Sequence, residues 1–292
     1  MKTAVTVGTF DGFHLGHRDL VHRLAGLAAE RGLEPLAVTF RDHPLATLRP
    51  EAVPPLLAPR PPRVADWPVD RVEILDFDRR LAAMTAGEFM DFLIERYDVA
   101  LLLTGHDNRL GSDGPADPQR YAALGRERGL EVLTAPRLVL PDGGVPASSA
   151  IRRCLAQGDV SRAADLLGAP YDLEGPTVPG RQNGRRLGFP TLNIAVDPRR
   201  MVPAPGVYAT RLTIDGNTYP AVTNIGHNPS VSEGNPLTVE THAIDAGLPY
   251  DYGREVRVAF VRRLRDERRF PSLADLRAAI AADITSARSI MG

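Results

Sequence analysis

The sequence predicts two folded modules: an α/β module built on a parallel sheet, then a small antiparallel β-barrel closed by a C-terminal helix. Two observations carry that reading. Up to about Gly168, short apolar runs alternate with amphipathic helical stretches, the βαβ pattern that requires a parallel sheet and right-handed crossovers. Beyond it the helical period gives way to successive strand-like runs punctuated by Gly, Asn and Asp. At 292 residues the chain has room for a core in each module, with the boundary drawn as 1–168 and 169–292.

Each element follows from local pattern. Thr3–Val7 reads as a buried strand running into GTFDGFHLGH, residues 8–17. His17–Arg31 carries Leu20, Val21, Leu24, Leu27 and Ala28 at helical spacing, with Gly32 as its stop. Leu36–Phe40 is the second strand, and the proline-rich stretch 49–68 is an irregular connector. Strand Val72–Leu75, helix Ala86–Tyr97, strand Val99–Leu103, helix Pro118–Arg128 and strand Glu131–Thr134 repeat the alternation, and Ile151–Leu155 begins another helix. Ligands are expected beyond the carboxyl ends of such strands. In the second module Gly206–Ile214, Thr218–Thr223, Leu237–Ile244 and Arg254–Leu264 read as strands, with Asp215-Gly216-Asn217 as a hairpin turn. The tail Ser272–Ile290 is a helix capped by Ser272, with Leu273, Leu276, Ile280 and Ile284 on one face.

Composition narrows the function. Hydrophobic residues at 43% and charged ones at 24% are ordinary for a soluble globular chain. A formal net charge of −1 argues against a nucleic-acid binder, and no apolar run approaches the roughly 18 residues of a membrane span. Gly8 and Asp11 interrupt the N-terminus before any signal-peptide core forms. A single cysteine, Cys154, makes no internal disulfide, so a reducing, cytoplasmic setting is expected. The expected partners are small molecules, with the chain a monomer or weak homo-oligomer.

The glycine-histidine turn is the first candidate site. Glycines at 8, 12 and 16 fit neither the dinucleotide fingerprint nor the P-loop. The helix that starts there still points free N–H groups and its positive dipole end into the turn, which favours a phosphate. His14 and His17 would add donors beside it. On spacing alone, a tight turn with a capping histidine serves as well. Zinc is a poorer fit, because no third ligand is evident.

The chain resembles the bacterial bifunctional riboflavin kinase/FMN adenylyltransferases, or FAD synthetases. Gly8–His17 is similar to their G-x-F-D-G-x-H-x-G-H signature, Thr39-Phe-Arg-Asp-His-Pro44 to T-F-x-x-H-P, and Ala147-Ser-Ser-Ala-Ile-Arg152 to S-S-T-x-I-R. Gly184–Asn193 resembles G-R-x-L-G-F-P-T-A-N of the kinase half. Asn224–Pro229, Val239-Glu-Thr-His242 and Tyr252-Gly253 follow in the expected order. The resemblance covers nearly the whole chain. It implies a Rossmann-like nucleotidyltransferase module followed by a riboflavin kinase barrel, using ATP, riboflavin and FMN as substrates, with Mg²⁺.

For the first module the resemblance implies in-line attack of FMN phosphate on the α-phosphorus of ATP, chemistry of positioning and charge stabilisation. His14 and His17 would hold the ATP phosphates, Gly8 and Gly16 would admit the backbone, and Asp11 would fix the turn. His43, Ser148, Ser149 and Arg152 complete the nucleotide set, although Ser148-Ser149 alone reads as a helix cap and His43 as a turn residue. The family's flavin-side run G-x-D-F-x-F-G is here Gly105-His-Asp107-Asn108-Arg-Leu110-Gly111, with two aromatics replaced. Stacking worth about 0.5–1.5 kcal/mol per ring is thereby lost, and restoring Phe at 108 and 110 is expected to raise FAD formation. A nucleotide-binding regulatory domain, or a transferase with another phosphorylated acceptor, stays open at this point.

For the second module the resemblance places the ATP site at Gly180, Arg185, Gly188, Thr191 and Asn193, within a glycine-rich basic stretch. Thr191 and Asn193 offer oxygen ligands to a Mg²⁺–ATP complex. Glu240 is the general base for the riboflavin hydroxyl. Read without the resemblance, a Glu in an alternating strand faces solvent. Leu192 stands where the family has alanine, and either crowds the site or packs outward.

Overall fold

The computed structural model describes residues 1–60, 67–69, 71–180, 184, 187–227, 237–248 and 251–291. The chain divides into two compact units, Met1–Ser148 and Ser149–Gly292.

In the first unit, strands β1 (Thr3–Val7), β2 (Glu34–Phe40), β3 (Arg71–Leu75), β4 (Val99–Thr104) and β5 (Glu131–Thr134) form a parallel sheet in the order β3-β2-β1-β4-β5. β1 is buried at all five residues, as a central strand covered on both faces must be. Helix α1 (Leu15–Arg31) buries Leu20, Val21, Leu24 and Ala28 on one face with Ala4 and Ala37. On the other face α4 (Ala86–Tyr97) brings Phe89, Met90 and Leu93, and α5 (Pro118–Glu127) brings Tyr121, against Val5, Val7 and Val38. Two short helices, α2 (Leu45–Leu48) and α3 (Arg79–Ala83), lie in the connections flanking β3.

Helix ends follow their capping chemistry. Gly32 closes α1 at φ 63°, as the sequence predicts, donating its N–H to the carbonyls of Ala28 and Ala29. Thr85 and Glu88 form a reciprocal capping box at α4. The start of α1 lies earlier than predicted: His14 is its N-cap, and Nδ1 accepts the His17 backbone N–H at 3.4 Å.

The second unit holds a closed barrel of β6 (Asp172–Val178), β7 (Leu192–Ile194), β8 (Gly206–Ile214), β9 (Asn217–His227), β10 (Leu237–Ala243) and β11 (Glu255–Arg265), ordered β10-β7-β6-β11-β8-β9. The expected hairpin between β8 and β9 turns on Asp215 and Gly216 alone, at φ 48° and 76°, because Asn217 already pairs with Ile214. Three buried threonines satisfy one another: Thr223 Oγ1 lies 2.8 Å from Thr210 Oγ1 and 2.9 Å from Thr241 Oγ1. Each hydroxyl left unpaired there would cost about 1–3 kcal/mol. The C-terminal helix α8 (Leu273–Met291) packs Ile284 and Ala287 against Val207, Ala209 and Val222. Ser272 accepts the Asp275 N–H at its start.

The hydrophobic pattern changes at 168, but the compact units part at Ser148. The intervening helices α6 (Ser148–Ala156) and α7 (Val160–Leu167) account for the difference. α7 packs on β11, Ser161 Oγ donates to Val261 O at 3.2 Å, and Ala204 N donates to Leu155 O at 2.9 Å. Their amphipathic period resembles the first module, while α7 packs on the barrel strand β11. β6, β7 and α7 have no counterpart in the sequence reading; β7, at three residues, is too short to show a period.

Candidate functional site

The glycine-histidine turn sits where β1 ends. Phe10 and Phe13 both adopt left-handed φ, 48° and 39°, a conformation that costs non-glycine residues energy. Their rings compensate: Phe13 stacks on Trp67 at 4.4 Å, and Phe10 meets Trp67 edge-on at 4.8 Å and His17 at 5.2 Å. A Cβ on Gly8 would lie 3.0 Å from the Phe10 ring, and one on Gly16 would lie 3.0 Å from Pro146 O. Close approach therefore accounts for both glycines.

His14 and His17 stack at 3.7 Å between centroids. His14 is buried, and its Nδ1 is engaged in the cap, as the capping reading expects. Burial, His14 and the Arg60 guanidinium all push the His17 imidazole well below its ordinary value of 6.5. His17 is therefore neutral at pH 7, and its buried Nδ1 finds no hydrogen-bond partner among the described residues. Asp11 fixes the turn through its carboxylate, which accepts the N–H groups of Leu57 at 3.1 Å and Ala58 at 3.3 Å. Ser148 Oγ donates to Asp11 O at 3.0 Å. His43 caps its own turn, accepting Leu45 N at 3.2 Å. Ser149 and Arg152 lie on α6 in the second compact unit.

One residue here escaped the sequence reading. Arg60, in the proline-rich connector, has a side chain only 2% exposed; it donates to Thr9 O at 2.7 Å and Phe40 O at 3.2 Å and stands 3.9 Å from Asp11. Irregular backbone carries no period, so nothing local marks an arginine that folds inward.

The flavin-side run departs from expectation in a specific way. Leu110 is 4% exposed and belongs to the sheet core with Tyr121, whose hydroxyl accepts the Leu110 N–H at 2.9 Å. Its change from an aromatic alters packing rather than an exposed stacking face. Asp107 is exposed, and Asn108 is half-buried with Nδ2 donating to Val7 O at 2.7 Å.

In the barrel, Gly180, Thr191, Asn193 and Glu240 meet around one cavity of about 1010 Å³. Strand register does the assembling. Val178 pairs with Asn193, Asn193 with Glu240, Glu240 with Asn224, and Asn224 with Val207, so one row runs across β6, β7, β10, β9 and β8. All five residues line the cavity. Directly opposed side chains in such a row have Cβ atoms about 4.5–5.5 Å apart. Glu240 is thus flanked by two carboxamides and half-buried, not presented to solvent as its strand pattern alone implies. Gly180 and Thr191 also line the cavity. Leu192 is buried at 3% exposure and is not among the lining residues, so it neither crowds the site nor packs outward. Gly188 lines a separate 500 Å³ pocket with Phe189 and His242. Arg185, with Arg181 and Arg186, lies outside the described residues.

The far rim was not foreseen. Arg265 makes a two-pronged ion pair with buried Asp283 of α8, Nε–Oδ1 3.0 Å and Nη2–Oδ2 2.8 Å, and lies over the Phe270 ring at 5.4 Å. Both charged residues line the cavity. The pair joins β11 to α8 across a separation of 18 residues, too long for a local pattern to show. Among the described residues no group of three or more His, Cys, Asp or Glu is placed to hold a metal.

Residues 1–149 match the family model described as FAD synthetase, and residues 167–291 match that described as riboflavin kinase. A bifunctional riboflavin kinase/FMN adenylyltransferase from Pseudomonas fluorescens is 37% identical, covering 98% of this chain and 92% of that protein. The chain belongs to the bifunctional riboflavin kinase/FMN adenylyltransferase family. Namesakes from Escherichia coli strain K12 and Bacillus subtilis are 35% and 30% identical, over 99% and 97% of this chain and 92% and 90% of theirs. A crystal structure described as a macrolide-efflux protein from Streptococcus pneumoniae shares the fold at TM-score 0.86 and 29% identity, covering 98% of this chain and 94% of that one. As a family member the chain is a transferase, its FAD synthetase domain N-terminal and its riboflavin kinase domain C-terminal. No described helix is long and apolar enough to cross a membrane.

Proposed function

We propose that the barrel phosphorylates riboflavin at the row Asn193–Glu240–Asn224, and that the glycine-histidine turn then binds ATP for adenylyl transfer to the resulting FMN. The observation that supports this most directly is the register placing Glu240 between two carboxamides in the 1010 Å³ cavity. In the kinase step Glu240 accepts the proton of the riboflavin 5′-hydroxyl as its oxygen attacks the γ-phosphorus of ATP, and ADP leaves. Thr191 and Asn193 are neutral oxygen donors beside Gly180, a set that suits a hard cation already carried by phosphates. They would hold Mg²⁺ with ATP, the ion supplying neutralisation of phosphate charge.

In the adenylyl step an FMN phosphate oxygen attacks the α-phosphorus, and pyrophosphate leaves. Neutral His17 and the N–H groups at the start of α1 provide donors without reorganisation. Asp11 and Arg60 keep the turn fixed from beneath. His43, Ser148, Ser149 and Arg152 belong to this nucleotide set. A cytoplasmic monomer or weak homo-oligomer acting on small molecules, with no nucleic-acid partner, completes the reading.

The test supplies riboflavin, Mg²⁺ and ATP to the full chain and separates riboflavin, FMN and FAD. Glu240→Gln is expected to cut FMN formation about 10²–10⁴-fold, while FAD synthesis from added FMN persists. A fully active Gln variant removes Glu240 from the base role. A wild type that makes no FMN refutes the kinase assignment itself.

A further inference from the structure

We propose that Asn108 is a positioning residue for adenylyl transfer, tying the carboxyl end of β1 to the loop that follows β4 at the crevice where nucleotide and acceptor meet. The proposal rests on assigning adenylyl transfer to this unit. β1 and β4 are adjacent in the sheet, and the chain leaves them toward opposite faces, into α1 and α5. That divergence opens the crevice in which open α/β sheets bind ligands.

The paired register of β1 with β4 reaches Val5↔Leu102, while β1 runs on to Val7 and β4 to Thr104. Beyond that pair the side chain of Asn108 takes over, donating Nδ2–H to Val7 O at 2.7 Å. An amide side chain thus supplies a cross-strand bond past the end of the backbone ladder. On the opposite side Gly8 N donates to Val38 O of β2 at 3.0 Å. The Val7–Gly8 peptide, which opens the glycine-histidine turn, is therefore held on one side by β2 and on the other by the loop that follows β4.

The anchor itself is rigid. Asn108 N donates to Gly105 O at 3.2 Å, Leu110 N to the Tyr121 hydroxyl at 2.9 Å, and Ser112 N to Met84 O at 2.8 Å. A phenylalanine at 108, as in the run G-x-D-F-x-F-G, offers a ring but no donor. In this chain the residue at that place holds the crevice by a hydrogen bond. In-line transfer is sensitive to displacements of about 1 Å, so loosening this floor acts on the chemical step.

The experiment uses the full chain with Asn108→Ala, Asn108→Phe and Asn108→Asp, measuring FAD from FMN and ATP. FMN formation from riboflavin, catalysed by the same polypeptide, is the folding control. Ala and Phe are expected to lower kcat for adenylyl transfer about tenfold or more, with KM for ATP changed less than about threefold. Asp falls further, because its carboxylate meets the Val7 carbonyl oxygen with like charge. Kinase kcat is unchanged in all three. Wild-type FAD synthesis in the Ala variant overturns the proposal, as does faster synthesis in the Phe variant or a loss shared equally by the kinase. A wild type that makes FMN but no FAD overturns the underlying assignment, and the proposal with it.

Discussion

Placing a methyl group on Gly180 tests the kinase cavity at its tightest point. A Cβ there would fall well inside contact distance of Asn193 Nδ2 and 2.5 Å from its Cγ. Asn193 cannot retreat with its backbone, because β7 pairs with β6 at Val178 and with β10 at Glu240. The amide must turn instead. Leaving its rotamer well costs about 0.5–1.5 kcal/mol, and weakening the polar contact with the Mg²⁺–ATP complex that we propose for Asn193 costs about the same again. Together these give about 1–3 kcal/mol, or roughly a five- to hundredfold rise in KM for ATP in the kinase reaction. The assay varies ATP at saturating riboflavin in full-length Gly180→Ala, with FAD formation from FMN as the control reaction. Asn193→Ala and the double variant close a cycle. Because Asn193→Ala removes the group that the new methyl strikes, the double variant should be no worse than Asn193→Ala alone. A Gly180→Ala enzyme with wild-type KM, or additive losses in the cycle, would falsify the reasoning.

Two further outcomes follow from the nucleotide turn and the sheet core. His17 is held below 6.5 in the folded protein by burial, His14 and Arg60, whereas the unfolded chain takes up its proton near 6.5. The unfolded state therefore binds more protons in that window, and the stability His17 contributes above pH 7 is lost as pH falls below about 6.5. The difference in thermal midpoint between wild type and His17→Asn should shrink on going from pH 8 to 5.5, and a constant difference speaks against the buried neutral imidazole. Leu110→Phe adds volume to a closed core beside Tyr121, where overpacking costs about 1–3 kcal/mol, or about 2–12 °C of midpoint. It should leave FAD synthesis no faster than wild type; faster synthesis with unchanged stability would return Leu110 to the flavin-facing surface.

Local order carried much of this architecture in the sequence. Hydrophobic period is a property of neighbouring residues, so α1, α4, α5, β1, β2 and β4 were legible from it, as were the Gly32 stop, the Ser272 cap and the Asp215-Gly216 turn. The glycines at 8 and 16 were read by resemblance as letting the backbone approach ATP, whereas the neighbours that crowd them in the fold are the Phe10 ring and Pro146 O. The motif order, read by resemblance, named Gly180, Thr191, Asn193 and Glu240 together.

Tertiary structure decided what depends on residues distant along the chain. Register between β7, β10 and β9, strands that are not all consecutive, turned Glu240 from a solvent-facing position into the centre of a polar row. Arg60 and the Arg265–Asp283 pair were invisible because burial of a charge is set by the partners that gather round it, not by its neighbours in sequence. Asn108 reads as a lost aromatic until β1 is beside it, and Leu110 as a missing ring until Tyr121 closes the core. The division at Ser148 belongs here too. Helices α6 and α7 look like the module before them, and only the contact of α7 with β11, far along the chain, groups it with the barrel.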